Sequence, residues 1–280
     1  MGPMAFEQAT DLNFASAHVV HTTMPPHDPA GYTSTTEPFA IGVSFTAHVR
    51  AVVEDGAGRS SEWSFPAGTC SINGHSPTTW LRVSEPAEAV EIHASQGELA
   101  SASDEIGFDW NDRPDFPLTG EDPVIWGICA RFRMAALGAK PIEALEADGL
   151  VRGLLVHVAM RHLRIRPPHR LRGRLDQQRL ARVTAYIESF LLGPPSLREM
   201  ADVAAMSPFH FQRAFRATTG LSPHAYVSAR RMERARRMLA ESDHTVGDIA
   251  TALGFTDLAH FRRSFRRHFN AAPRERRDLG

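Results

Sequence analysis

Two stretches of the sequence place histidine, phenylalanine and arginine in the same order, fifty residues apart. Residues 210–216 read HFQRAFR and residues 260–266 read HFRRSFR, and a proline follows each at the same offset, at Pro223 and Pro273. Guanidinium groups donate paired hydrogen bonds to phosphate oxygens and to guanine edges, whereas a carboxamide donates one hydrogen bond to an adenine edge and accepts another from it. An internal repeat of this kind indicates one supersecondary unit that is used twice.

The first copy carries the start and stop signals of two short helices. Ser196, followed three residues later by Glu199, predicts a capping box, and Ser207 before Pro208 predicts an N-cap with proline at the first helical position. Gly220 marks the end of the second helix. The inward positions at helical spacing are Leu197, Met200, Ala201, Ala204, Phe211, Ala214 and Phe215.

The second copy repeats these signals. Thr245 caps a helix with Asp248 at its third position, Gly254 supplies the turn, and Thr256 or Asp257 opens the next helix. Two helices joined by a turn of about 3–4 residues are the signature of a helix-turn-helix unit. The inward positions of this copy are Ile249, Ala250, Leu253, Phe261, Ser264 and Phe265.

The segment between the two copies predicts a connecting helix. Ser222 and Pro223 form another N-cap and first-turn proline, and the helix is expected to run to about Leu239. At ~1.5 Å per residue it would be roughly 25 Å long. A rigid spacer of this size suits two recognition helices in successive turns of the major groove, which lie ~34 Å apart.

With the upstream copy, the second copy resembles the C-terminal domain of AraC/XylS-type transcriptional regulators. The residues that carry the resemblance are Ile249-Ala250, Gly254-Phe255-Thr256-Asp257, His260-Phe261, Arg263, Phe265-Arg266 and Pro273. Two positions depart from the pattern: Asn270 stands where the family usually has glycine, and Arg276 where it usually has an aromatic residue. Asparagine tolerates a left-handed helix end, so we expect Asn270 to be accommodated.

The resemblance implies which side chains meet DNA. Base edges would be read by Phe209, Gln212, Arg213, Ala259, Arg262 and Arg263. Phosphates would be contacted by Arg216, His210, His260, Arg266 and Arg267. Arginine suits guanine, glutamine suits adenine, and an apolar side chain suits the thymine methyl group. The alternative is that several of these arginines touch phosphate alone, since half or more of protein–DNA hydrogen bonds go to the backbone.

Composition separates the chain into an acidic and a basic part. Residues 161–280 carry 23 Arg against 11 Asp and Glu, whereas residues 1–160 carry 8 Lys and Arg against 21 Asp and Glu. This asymmetry favours nucleic-acid binding by the C-terminal part. Cys70 and Cys129 form no disulfide framework or zinc-ligand pattern. No secretory signal or membrane-spanning run is present, so we expect a cytoplasmic protein that binds no membrane.

The N-terminal part shows strand periodicity from residue 39, after a weakly periodic segment over 1–38. Ile41, Val43 and Phe45 alternate, and residues 54–58 form a hairpin-type turn. Further strands are predicted at 61–65, 69–72, 79–83 and 89–94, which is typical of a small barrel or sandwich. The AraC/XylS resemblance implies a cupin-like sensor here.

The functional groups of this part are fewer. Metal-binding cupins use a His-x-His pair, which is absent here, so no metal or other cofactor is expected. Trp80 and Arg82 alternate in one strand and, with Arg50, form a candidate effector site for an anionic ligand. Core tryptophans and surface arginines are the alternative.

Helical period returns over residues 122–163, with one helix at about 123–137 and a second opened by Pro141. The resemblance implies a dimerisation hairpin; simple packing against the sheets is the alternative. The predicted fold is therefore α+β: a cupin-like barrel or sandwich with a helical hairpin over 1–163, a basic linker over 164–175, and an all-α DNA-binding domain over 176–280, whose two helix-turn-helix motifs are joined by a linker helix.

The predicted function is that of a sequence-specific transcriptional regulator, not an enzyme. It would act as a homodimer on promoter half-sites in double-stranded DNA, controlled by a small-molecule effector and activating by recruiting RNA polymerase. Two alternatives stay open. One is an effector-independent regulator whose N-terminal domain only dimerises. The other is a cupin-like enzyme with a DNA-binding appendage, disfavoured because neither metal ligands nor a nucleophile motif is found.

Overall fold

A computed structural model describes residues 8–28, 33–110, 118–164, 174–191, 193–242 and 244–273. The chain divides into two compact units. One comprises Met1–Ala136 with Ile142–Arg170, and the other comprises Leu137–Pro141 with Leu171–Gly280. Most of the predicted linker and Arg276 lie outside the described residues. No helix in the described ranges is long and apolar enough to cross a membrane.

The first unit contains two antiparallel sheets. Its described strands are β1 (Gln8–Asn13), β2 (Ala17–Met24), β3 (Ser34–Thr36), β4 (Ile41–Ser44), β5 (His48–Glu54), β6 (Ser60–Phe65), β7 (Thr69–Ile72), β8 (Thr78–Arg82), β9 (Ala87–Ala94) and β10 (Leu118–Gly120). One sheet has the order β1-β2-β9-β4-β7-β10 and the other β3-β8-β5-β6. The arrangement is sandwich-like and does not close into a barrel, so the α+β prediction is confirmed in its sandwich form.

Period-two alternation explains most of these strands. Val43 of β4 is buried at the centre of its sheet and pairs with Cys70 and Val90 on either side. In β5 the alternation shifts face, because Arg50 has a left-handed φ of 56° and the pairing with β6 is irregular between His48 and Ala51. Such a bulge re-aims the residues that follow it.

The structure adds elements that the sequence did not indicate. β1, β2 and β3 lie in the segment where only weak periodicity was found, because polar residues such as Thr22 and His21 are buried there alongside Val19. Helix α1 (Gln96–Ile106) follows β9, with Ser95 as its N-cap. Its residues are predominantly polar, so the sequence shows no helical spacing of apolar residues in this segment.

Helices α2 (Pro123–Ala136) and α3 (Ala144–Arg161) form an antiparallel hairpin in this unit. Two buried arginines of α2 hold it. Arg133 donates to both carboxylate oxygens of Glu88 on β9, at 2.7 and 2.8 Å. Arg131 donates to Glu146 near the start of α3 at 2.9 and 3.0 Å. The hairpin is thereby attached to the six-stranded sheet and closed on itself.

The described helices of the second unit are α4 (Gln177–Ser189), α5 (Leu197–Val203), α6 (Pro208–Thr219), α7 (Pro223–Glu241), α8 (Val246–Ala252) and α9 (Leu258–Phe269). The two copies of the repeat match in length, since α5 and α8 have 7 residues each and α6 and α9 have 12 each. Both predicted capping boxes are present, at Ser196 with Glu199 and at Thr245 with Asp248. Leu197 differs from expectation, because it remains 37% exposed at the first position of its helix.

The connecting helix α7 contributes to both copies. Its Tyr226 packs edge-on against Phe215 of α6, with 5.4 Å between ring centroids. At its other end, Met232 and Leu239 join a buried cluster with residues of α8 and α9, including Phe261. At ~1.5 Å per residue, its 19 residues are about 28 Å long, close to the length expected from the sequence.

Candidate nucleic-acid interface

Helix α6 is divided into a buried and an exposed face. Ser207 caps it by accepting a hydrogen bond from the His210 amide, and Gly220 ends it in the left-handed conformation at φ 77°. Phe211, Ala214 and Phe215 are buried, as predicted. The opposite face exposes all five predicted DNA-contact residues of this copy: Phe209, His210, Gln212, Arg213 and Arg216.

Helix α9 has the same division. The Asp257 carboxylate caps it by accepting from the Ala259 amide at 2.8 Å. Phe261 and Phe265 are buried, and the helix ends at Asn270 with φ 53°, so the predicted tolerance of asparagine at this left-handed position is confirmed. The exposed residues include the six predicted contacts of this copy: Ala259, His260, Arg262, Arg263, Arg266 and Arg267.

The turn before each of these helices uses one left-handed residue. Ala205 has φ 52° between α5 and α6, and Gly254 has φ 73° between α8 and α9. The left-handed conformation costs an alanine roughly 1 kcal/mol or more, whereas glycine adopts it freely. The same backbone geometry is therefore built twice, with strain in the first turn alone.

Two of the exposed arginines have neighbours that orient them without burying them. The Arg213 guanidinium carbon lies 5.7 Å from the centroid of the Phe209 ring, and Phe209 itself is 65% exposed. Arg263 lies 3.7 Å from the Asp257 carboxylate, and both side chains are more than half exposed. Exposed pairs of this kind contribute at most about 1 kcal/mol to stability. Either arginine can therefore leave its present neighbour for a stronger hydrogen-bond acceptor at a small cost in free energy.

Arginines on α7 have a different role, which the sequence did not distinguish. Arg231 donates to the Leu253 carbonyl oxygen, and its guanidinium lies 4.2 Å from the centroid of the Phe255 ring. Arg236 is buried, and its guanidinium carbon lies 5.4 Å from the centroid of the Phe269 ring of α9. These positive charges fix α7 against the second helix-turn-helix unit, so the basic character of the C-terminal part is not all available to DNA.

The first unit encloses a cavity of about 210 Å³ between its two sheets. Of the three residues predicted to form an effector site, Trp80 lines this cavity, whereas Arg50 and Arg82 do not. Arg50 is 73% exposed and pairs with Glu62 at 3.2 Å, because the bulge in β5 turns it outwards. The grouping of these arginines with Trp80 in one site is therefore not seen.

The cavity wall combines aromatic rings with a short polar chain. The Trp80 indole N–H donates to the Thr36 hydroxyl at 3.0 Å, and that hydroxyl donates to Glu91 at 2.7 Å. The His48 ring lies 4.8 Å from Phe65 and 5.2 Å from Trp80, centroid to centroid. Burial lowers the pKa of His48 to about 4, so its imidazole is neutral at neutral pH. In the sequence, the period-two alternation of β5 and β6 was the signal that could have indicated that His48 and Phe65 face inwards.

A third group of side chains meets at one end of the helical hairpin. Asp122, His157 and His162 place one ligand atom each within 4.8 Å of one another. Sequence spacing alone gave no reason to expect a metal-ligating group there. The predicted antiparallel hairpin was the usable signal, because it brings the start of its first helix next to the end of its second.

Comparison with known proteins places the likeness in the C-terminal part. Residues 200–278 match a helix-turn-helix domain family. The chain is 37% identical over 100 residues to the HTH-type transcriptional activator RhaS of Enterobacter sp. (strain 638), covering 36% of each protein. It is 34% identical over 90 residues to the uncharacterized HTH-type transcriptional regulator YobQ of Bacillus subtilis (strain 168), covering 32% of this chain and 37% of that protein. The match thus spans about a third of these curated relatives.

Solved structures match a similar share of the chain. An AraC-type transcriptional regulator from Chromobacterium violaceum is 30% identical, covers 36% of this chain and 91% of its own, and has a TM-score of 0.35. The DNA-binding domain of AdpA, a global transcriptional factor, in complex with a target DNA, is 32% identical, covers 35% and 89% respectively, and has a TM-score of 0.34.

Proposed function

We propose that this chain, which carries an AraC/XylS-type helix-turn-helix domain near its C-terminus, is a sequence-specific DNA-binding transcriptional regulator. The observation that carries the proposal is the duplicated exposed face. Helices α6 and α9 have equal lengths, bury equivalent phenylalanines and expose arginines at equivalent positions. A duplicated recognition face suits two neighbouring major-groove segments of one duplex.

The exposed residues divide into two roles by chemistry. Gln212, Arg213, Arg262 and Arg263, flanked by the apolar Phe209 and Ala259, are proposed to read base edges. Arg216, Arg266 and Arg267, with His210 and His260, are proposed to contact phosphates, which positions the helices without selecting sequence.

The test is fluorescence anisotropy with the purified protein on its own upstream DNA and on a scrambled duplex of equal length. At near-physiological salt, we expect binding to the native duplex to be tighter by about a thousandfold or more. Equal affinity for both duplexes, or no binding at low salt, contradicts the proposal.

Single substitutions then assign the roles. Arg213→Ala and Arg263→Ala are expected to cost ~1–3 kcal/mol on the native duplex and to relax the preference at one base position each. Arg234→Ala is the matched control, because it removes an exposed arginine of α7, off both recognition faces. Equal weakening of both duplexes by Arg213→Ala assigns that residue to phosphate.

The regulatory ligand is proposed to bind in the cavity of the first unit. Its support is the combination of aromatic walls at Trp63, Phe65 and Trp80 with hydrogen-bonding groups at Thr36 and Glu91. The cavity wall carries a neutral His48 and the Glu91 carboxyl, and neither candidate arginine lines it. The cavity therefore suits a small uncharged or cationic ligand better than the anion expected from the sequence.

A ligand panel tests this assignment, because Trp63 and Trp80 line the cavity and report occupancy by fluorescence. A ligand at 100 times its Kd is expected to raise the free energy of unfolding of this unit by about 2.7 kcal/mol. It should also change the affinity for the native duplex. A ligand that binds the cavity without altering DNA affinity favours the alternative, an effector-independent regulator whose first unit only dimerises.

Further properties are proposed on the same basis. The protein acts in the cytoplasm as a homodimer on paired promoter half-sites, through a non-enzymatic role, and activates by recruiting RNA polymerase. Support comes from RhaS, whose name describes a transcriptional activator. Sedimentation equilibrium tests the dimer, and transcription in vitro from a promoter bearing the bound duplex tests the sign of regulation. Reduced transcript in the presence of the protein contradicts activation.

A further inference from the structure

Asp122, His157 and His162 converge on one point of the helical hairpin. Asp122 directly precedes α2, His157 lies on the last part of α3, and His162 is the C-cap of α3. The Asp122 Oδ2 atom lies 2.7 Å from His157 Nε2 and 3.0 Å from His162 Nε2. One carboxylate oxygen thus faces two imidazole nitrogens, and all three atoms lie within 4.8 Å of one another.

The two oxygens of Asp122 have separate tasks. Oδ1 accepts from the backbone amides of Val124 and Ile125, at 2.8 and 3.0 Å, and so caps α2. Oδ2 faces the histidines. The carboxylate oxygen that faces the histidines is therefore the one that takes no part in capping α2.

Two imidazoles and one carboxylate are the donor set of many transition-metal sites. With metal–ligand bonds of ~2.0–2.2 Å, neighbouring ligand atoms of a tetrahedral site lie roughly 3.3–3.6 Å apart. The present separations of 2.7 and 3.0 Å are shorter by about half an ångström, which small side-chain rotations can supply. The carboxylate side chain is 3% exposed, whereas those of His157 and His162 are 18% and 24% exposed, so the site is open to solvent on the histidine side.

We propose that Asp122, His157 and His162 bind one divalent transition-metal ion of the zinc class, with a solvent molecule completing the coordination. The ion would connect the residue before α2 to the end of α3 and so fasten the open end of the hairpin. Arg131 and Glu146 already fasten its loop end.

The test uses the full-length protein after treatment with a chelator. Addition of Co²⁺ is expected to produce visible absorption typical of nitrogen and oxygen ligation, saturating at one ion per chain, and Zn²⁺ is expected to displace it. Zn²⁺ should also raise the midpoint of unfolding followed by tryptophan fluorescence, because all four tryptophans precede residue 127. No absorption change at saturating Co²⁺ overturns the proposal.

Variants locate the site. His157→Gln and His162→Gln should each weaken Co²⁺ binding at least tenfold and reduce the Zn²⁺-induced shift. Asp122→Asn keeps an oxygen able to cap α2 but loses the charge, so it should fold and bind weakly; far-UV circular dichroism checks the fold. His93→Gln is the matched control, because His93 is 19% exposed in the same unit and pairs with Glu91. Undiminished binding in both His157→Gln and His162→Gln, or loss in His93→Gln alone, overturns the assignment.

Discussion

The neutral histidine in the cavity wall makes the stability of the first unit dependent on pH. His48 is 5% exposed, its Nε2 lies 3.0 Å from the Ser44 hydroxyl, and its ring contacts Phe65 and Trp80. Burial lowers its pKa from 6.5 to about 4. As pH falls, the unfolded chain therefore binds a proton before the folded chain does, and the free energy of unfolding must decrease between about pH 6.5 and pH 4.

The size of the effect follows from the shift. A difference of about 2.5 pKa units corresponds to roughly 3 kcal/mol once the pH lies below both values. Between pH 7.5 and pH 5, where unfolding is easier to measure, the loss attributable to His48 is about 2 kcal/mol. The other titratable groups on the cavity wall are His18, Glu37, Glu91 and His93.

The assay is urea unfolding at both pH values, followed by tryptophan fluorescence. Trp63, Trp80, Trp110 and Trp126 all belong to the first unit, so the signal reports that unit alone. We expect the stability loss between pH 7.5 and pH 5 to be smaller in His48→Gln than in the unsubstituted protein by about 2 kcal/mol. His224→Gln is the control, since it removes an exposed histidine of the second unit. Equal losses in His48→Gln and the unsubstituted protein would refute the reasoning.

Three further outcomes are expected. Ala205→Gly should stabilise the second unit by about 1 kcal/mol, because glycine adopts the left-handed conformation without the strain that alanine carries. Ala217→Gly, on an exposed helical face, should destabilise the unit by a similar amount. Circular dichroism during urea unfolding measures both changes in the free energy of unfolding, and changes of the same sign contradict the argument. Glu88→Ala should cost the first unit about 3–5 kcal/mol, because Arg133 stays buried without that carboxylate, and a loss below 1 kcal/mol in the tryptophan assay contradicts it. Arg267→Ala should reduce the slope of log affinity against log salt by about one, and an unchanged slope removes Arg267 from the phosphate contacts.

Local signals explain why the C-terminal unit could be predicted closely. Capping at Ser196 and Thr245 depends on side chains three residues apart, and the left-handed ends at Gly220 and Asn270 depend on single residues. These interactions lie within one or two helical turns, so they can be predicted from a short stretch of sequence.

The first unit depends on contacts that no short window contains. Arg50 was grouped with Trp80, but a bulge turned it to solvent, and bulges are not readable from alternation alone. His48 became a cavity residue through rings on other strands. Asp122 and His157 are 35 residues apart and meet because the hairpin folds back on itself. Sequence reasoning found the strands and helices that carry these residues but not their meeting points.

The double use of α7 means that the repeat is not modular, although its two halves look interchangeable. A fragment that ended after α7 would keep the first recognition helix but would leave Met232, Ala235 and Leu239 without the aliphatic and aromatic partners supplied by α8 and α9. A fragment that began at α8 would lack these α7 residues, against which the buried side chains of α8 and α9 pack. Deletion of either copy is therefore expected to expose apolar surface of α7 or of α8 and α9, so we expect each copy alone to be less stable than the pair.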